Sequence, residues 1–229
     1  MFAASKGHPV GASYRGGMNG RADGERRHRP SLYADLTELI DSAGGTTPSS
    51  RAEIAAATAA VVVQAGRAGE EDGRFVELAD RIGLDTLAAL WRDAEPVSLP
   101  GALWALYLLR QWCHTHGEEV ARLWRAGEPF ATADAVVAGV PDFPDAEMIE
   151  RIADAVLARA YRGDFAVALE RAAALFRVVA AGRRELAGAD CSGGLGGPVS
   201  PELELAVRND RVAADLATAA ARWRAGTLH

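Results

Sequence analysis

The sequence predicts an all-α protein: an irregular helical bundle around a central apolar helix, with a disordered N-terminal leader and a tethered C-terminal helix. Three observations carry that reading. Alanine makes up about a fifth of the 229 residues, and Ala loses no side-chain entropy in a helix. Nowhere does a sustained two-residue alternation rich in β-branched residues mark a strand. Residues 99–126, LPGALWALYLLRQWCHTHGEEVARLWRA, read as a helix, a turn at Gly117 and a second, amphipathic helix. Every residue from Ala102 to Leu109 is apolar, which belongs to a helix in the middle of a bundle. The run is far too short to span a bilayer. Trp104 is expected to be largely buried there.

The elements follow in order. Residues 1–29 are rich in Gly, Arg and Ser and nearly free of large apolar side chains; they cannot bury enough surface to offset chain entropy and are expected to be a disordered leader. The bundle domain is expected over 30–187. Ser31 caps a helix through Ile40 or Ser42, with Leu32, Leu36, Leu39 and Ile40 on one face. Ser50, with Glu53 three residues on, forms a capping box for a helix to about Gln64. Arg74–Ile82 and Leu84–Arg92 form two short helices separated by Gly83. After the central pair, a short helix runs from Thr132 to Val137 and ends at Gly139. The turn at Pro141–Asp145 starts a long helix with the stripe Ile149, Ile152, Ala153, Val156 and Ala160. Asp164 caps a helix carrying Phe165, Leu169, Ala172, Phe176 and Val179. Residues 188–200, GADCSGGLGGPVS, read as a Gly-rich linker. A final amphipathic helix over 201–226 has Ser200 at its cap, Pro201 at its first position, and Glu202 and Glu204 at the positive end of its dipole.

Composition narrows the function. The formal charge is −6; residues 1–29 carry a net +4, leaving −10 on the rest. An acidic body does not suit a phosphate backbone, whose affinity rests on cationic contacts, so nucleic acid is not an expected partner. Lys6 is the only lysine. Two cysteines, Cys113 and Cys191, make no disulfide framework, and reduced thiols point to a cytoplasmic protein. No secretory h-region and no membrane span are expected.

Chemistry is sparse. Cys113, His114 and His116 are the only clustered soft ligands, short of the four a structural zinc requires. There are no Glu-x-x-His pairs on facing helices, no His-Glu-x-x-His, no Gly-x-Ser-x-Gly and no phosphate loop with its Lys. The Gly-Gly-Leu-Gly-Gly string at 193–197 has no strand before it. No catalytic, cofactor-binding or metal-binding residue is nominated, and the reading leans away from an enzyme.

Residues 75–91, FVELADRIGLDTLAALW, resemble the first half of a helix-turn-helix in Ala79, Gly83 and the apolar Leu78, Ile82 and Leu84. The would-be recognition helix offers only Asp85, Thr86 and Ala88, with Arg92 near its end, too few donors for base and phosphate contacts. A DNA-binding regulator using this corner is the alternative reading.

The segments LPGALWALYLLR (99–110) and GDFAVALERAAA (163–174) resemble a family of small all-helical proteins from high-GC Gram-positive bacteria, over roughly residues 50 to 185. The resemblance implies a helical fold and supplies no activity. Members sometimes carry the label of RNA polymerase β subunit; that long, sheet-rich chain shares no motif with this one, and the label is not carried over.

The first reading is therefore a non-catalytic protein-interaction module. Leu205, Asn209, Val212, Leu216, Ala219 and Trp223 follow steps of four, three, four, three and four, a coiled-coil-type seam with a polar Asn209 at a core position. These residues, Ala219 apart, are the candidate partner-binding set. The seam serves either to dock the helix onto its own domain or, through the linker, to reach a protein partner or a second copy of the chain.

Overall fold

The computed structural model describes residues 47–67, 83–190 and 200–229, all within one compact unit. Every regular element there is helical: α1 (Pro48–Arg67), α2 (Leu84–Trp91), α3 (Leu99–Thr115), α4 (Gly117–Gly127), a 3-10 turn (Glu128–Phe130), α5 (Thr132–Ala138), α6 (Ala146–Arg162), α7 (Phe165–Asp190) and α8 (Pro201–Arg224). The expected leader, the helix begun at Ser31, the helix Arg74–Ile82 and residues 191–199 of the expected linker lie outside the described residues.

Local chemistry sets the boundaries. α1 starts earlier than the expected capping box. Thr47, not Ser50, accepts its first bonds, from Arg51 N at 3.0 Å through its carbonyl and from Ser50 N at 3.4 Å through its hydroxyl. Pro48 then takes the first helical position, where a missing N–H costs nothing. Ser98 Oγ accepts from Gly101 N at 3.2 Å to start α3, and Asp145 Oδ1 from Met148 N at 2.8 Å to start α6. Asp164 Oδ1 accepts from Ala166 N at 2.9 Å at the head of α7. Gly139 ends α5 at φ 68°, a left-handed conformation that glycine adopts without penalty. α7 continues past the expected boundary at 187 to Asp190.

The helix at the centre is α7, not α3. Phe165, Ala168, Leu169, the run Ala172–Leu175, Val178, Val179 and Ala180 are all buried, so α7 is enclosed on every side. Helices α4, α5, α6 and α8 all pack on it. Its alanines are the physical reason, because small side chains let neighbours close in from several directions. The closest approach is to α4: a Cβ at Gly127 would lie 1.9 Å from the Val178 carbonyl oxygen, and one at Gly182 would lie 1.9 Å from that of Leu123.

Helix α3 belongs to the outer layer with α1, α2 and α6. One side carries Leu103, Leu106 and Tyr107 into the core. There the Tyr107 and Tyr161 hydroxyls bond at 2.8 Å, and Trp91 Nε1 donates to Thr58 Oγ1 at 3.0 Å. The other side is apolar but open: Trp104 is only half-buried and Leu108 is 42% exposed. Trp104, expected to be largely buried, packs against the core but is not fully enclosed by it. Trp104→Ala should cost about 1–2 kcal/mol, in line with partial burial, against about 3–5 kcal/mol for a fully enclosed tryptophan. A urea midpoint shift reads the difference, and a loss at the upper figure would return Trp104 to the core.

Helix α8 lies antiparallel along α7 of its own chain. Ala206, Ala213 and Ala220, seven residues apart, are buried, as are Leu216 and Ala219. Trp223 meets Phe165 edge-on with centroids 4.8 Å apart. Arg184 pairs with Asp210, and Arg224 Nη2 donates to Glu170 Oε2 at 2.7 Å. That bond to Arg224 holds the Glu170 carboxyl below its ordinary pKa. Its stabilisation is present above the unfolded-state pKa and is lost as pH falls through the folded one. Beyond α8, Leu228 is buried and the His229 carbonyl accepts from Leu99 N at 2.9 Å.

Candidate functional site

Two helices that both lean on α7 leave a gap where they fail to meet each other. The open face of α3 forms one wall, with Trp104, Ala105, Leu108 and Trp112 placed on one side by helical spacing. The N-terminal half of α8 forms the other, and Phe176 of α7 forms part of the floor. Between them is a cleft of about 620 Å³, within the range of sites that hold small molecules. The segment Ala94–Pro96 closes one end. It folds tightly against the start of α3, since a Cβ at Gly101 would lie 2.1 Å from the Glu95 carbonyl oxygen.

The sequence-predicted seam divides between two roles. Leu205, Asn209, Val212 and Leu216 all line the cleft. Ala219 is buried and Trp223 packs on Phe165. The tightest part of the α7–α8 contact runs one residue away, through Ala206, Ala213 and Ala220, because the smaller side chain permits the closer approach. The cleft thus falls where the larger members of the predicted seam face α3 across open space.

Sequence reasoning missed Arg183, the most unusual residue of the site. It is 5% exposed, yet charged. Its Nη1 donates to Glu202 at 2.6 Å and its Nη2 to Glu119 at 3.1 Å, while the guanidinium lies 5.7 Å from the centroid of the Trp112 ring. Trp112 in turn stacks on Phe176, centroids 6.3 Å apart and planes within 7°. Arg183 Nε and Asn209 Nδ2 are shielded from solvent and have no hydrogen-bond partner among the described residues. A signal for Arg183 existed, since it stands four residues after Val179 on the stripe that also holds Phe176, where a charge must be paired. Little in the sequence set the α3 face apart, because the run Ala102–Leu109 that carries most of it is apolar all round.

Elsewhere the side chains offer little chemistry. Burial pushes the Cys113 thiol up to about 12, helped by the nearby carboxylates of Asp154 and Glu150; a protonated thiol is neither nucleophile nor metal ligand at neutral pH. His114 Nε2 lies 3.0 Å from Asp154 Oδ1, which also accepts from Arg110 Nε at 2.6 Å, and His116 Nδ1 lies 2.7 Å from Thr115 Oγ1. Among the described residues no group of three His, Cys, Asp or Glu is placed to hold a metal ion. Of the helix-turn-helix corner, only the second helix, α2, is described. It buries Leu87, Leu90 and Trp91 and turns Asp85 and Ala89 outward, neither of them a donor to base or phosphate. Elsewhere Phe130, Val136 and Phe143 are exposed, the last at φ 52°. No described helix is long and apolar enough to cross a membrane.

Comparison with protein-family models, with curated proteins and with solved structures finds no match to this chain.

Proposed function

We propose that this chain is a non-catalytic interaction module and that what it binds enters the cleft between α3 and α8. The observation that carries this is the fate of the predicted partner-binding residues. Leu205, Asn209, Val212 and Leu216 wall the cleft opposite Trp104 and Leu108, a concave apolar surface with few polar groups. The remainder of α8 is engaged with its own domain, so the helix serves as one wall of the site and is not a free arm. A cytoplasmic setting fits a chain whose Cys113 is a buried, unpaired thiol. The DNA-binding alternative has less support, because α2 turns no cationic face outward beyond Arg92 at its end.

Ala105→Trp tests the reading, since a large ring there fills the cleft without touching the α7–α8 contact. The full-length protein is isolated from its own cells under native conditions and its intact mass measured before and after denaturation. The wild type should carry a bound component that Ala105→Trp lacks, with the same melting temperature within a few degrees. Identical, unliganded masses for both would sink the assignment.

A further inference from the structure

The two walls of the cleft leave apolar surface open between them. Trp104 and Leu108 on α3 and Leu205 and Val212 on α8 all line it, and none of the four is fully buried. An amphipathic helix laid along such a groove buries its own apolar face together with both walls.

Charge narrows the occupant. The charged residues of the lining are Arg92, Arg183, Arg211 and Asp215. Arg183 is taken up by Glu202 and Glu119, and exposed Arg92 lies 3.6 Å from Asp93. Exposed Arg211 forms no ion pair among the described residues, although Asp215 stands one turn further along α8. With three arginines against one aspartate, the lining favours an acidic occupant, and Asp215 directs its acids toward Arg211 and Arg92.

The chain itself contains such a segment before Thr47. In residues 32–42, LYADLTELIDS, helical spacing puts Leu32, Leu36, Leu39 and Ile40 within an arc of about 100°. Asp35, Glu38 and Asp41 fall outside that arc and give the segment a net charge of −3. The other amphipathic stretch, 74–82, balances Arg74 and Arg81 against Glu77 and Asp80, and residues 1–29 are basic. Reach is sufficient. Thr58 of α1 holds Trp91, the neighbour of Arg92, at 3.0 Å. From Thr58 back to Pro48, α1 runs about 15 Å, and the chain from Thr47 back to Ser42 extends up to about 17 Å.

Resting on the reading of the cleft as the binding site, we propose that residues 32–42 of the same chain cover it, and that a ligand enters by displacing them. The apolar face of the segment lies between Trp104 and Leu108 on one side and Leu205 and Val212 on the other, with its acids at the arginine rim. Apolar burial holds the segment, and charge selects it over the other stretches.

The test uses the full-length protein, produced in a foreign host and stripped of bound apolar material. The probes are the neutral dye Nile red and a labelled synthetic peptide of residues 32–42. Leu36→Glu combined with Leu39→Glu spoils the covering face without touching the cleft, and circular dichroism should show the fold retained. That double variant should bind both probes about tenfold more tightly than the wild type, whose tethered segment competes at high effective concentration. Adding Ala105→Trp should abolish binding of both. Adding Arg211→Glu should weaken the peptide about fivefold and leave the dye unchanged. A peptide with Asn, Gln and Asn in place of its three acids should ignore Arg211→Glu. Equal dye affinity in wild type and double variant, still abolished by Ala105→Trp, overturns the covering and leaves the cleft as a binding site. Peptide binding indifferent to Arg211→Glu, or matched by a peptide of residues 74–82, overturns the choice of this segment. Dye binding that ignores Ala105→Trp, or no binding by any chain, overturns both readings. A wild-type dimer that the double variant dissociates puts the segment on a second copy and overturns the covering within one chain.

Discussion

Gly182→Ala should lower the melting temperature by about 10 °C or abolish cooperative unfolding, although Gly→Ala inside a helix ordinarily stabilises by about 1 kcal/mol. The sign reverses because of what the new methyl group would meet. It would lie 1.9 Å from the Leu123 carbonyl oxygen and 3.1 Å from Gly127 N, both backbone atoms, which cannot swing aside as a long side chain would. The two helices would have to separate, and α4 carries the fully buried Trp124, Leu123 and Val120 onto α7. Overpacking of this kind costs about 1–3 kcal/mol and occasionally more; a double backbone contact belongs at the upper end. For a chain of this length each kcal/mol is worth about 2–4 °C. Gly188→Ala provides the contrast: it lies on the same helix with nothing within 4 Å, and should raise stability slightly. Thermal melts of the two variants side by side decide the matter. Gly182→Ala at or above the wild-type temperature would show that α4 and α7 do not cross where described.

That crossing also shows where sequence reasoning stopped. The helices themselves were legible, because their ends depend on residues adjacent in the chain: Asp145, Asp164, Pro201 and Gly139 each act within one turn of where they stand. Thr47 displaced Ser50 for an equally local reason, a proline at the first helical position. Which helix lies at the centre is not local. α3 is the more hydrophobic to the eye, with its leucines and tryptophans, and so was expected to be the core. Burial went instead to α7, whose alanines and Gly182 let other helices approach from every side. The same exchange explains the cleft. Leu205, Asn209 and Val212 were visible as an apolar stripe with one polar interruption, but a periodic stripe does not reveal whether a helix faces it. Here α7 accepts the neighbouring alanine row more closely, and the larger residues are left lining a cavity. Arg183 was recoverable in principle from its place on a buried stripe. Its partners Glu119 and Glu202 come from two other helices, and no spacing rule connects them.

Ending the chain before Pro198 should leave it without a cooperative thermal transition, a larger effect than an accessory helix would produce. A helix that used its seam only to reach a partner could be removed from a body that folds by itself. The packing says otherwise. α8 covers α7 through Ala206, Ala213, Leu216, Ala219 and Ala220, and Trp223 covers Phe165. Its loss also uncovers the α7 side chains that it faces. Fully burying a large apolar side chain is worth about 1.5–3 kcal/mol, and a domain has only about 5–15 kcal/mol in all. Arg183 would also lose Glu202, and Leu99 N would lose the His229 carbonyl that completes the start of α3. Circular dichroism should find helix retained in part, with a broad melt and strong binding of an apolar dye. The full-length chain supplies the second measurement. Because α8 packs on its own chain, its melting temperature should not move over a hundredfold range of protein concentration, whereas a helix exchanged between chains would make it rise with concentration. A truncated chain that melts cooperatively near the full-length temperature, or a concentration-dependent melt of the full-length protein, would restore α8 to the role of a free arm. The cleft would then lose one of its two walls in the isolated chain.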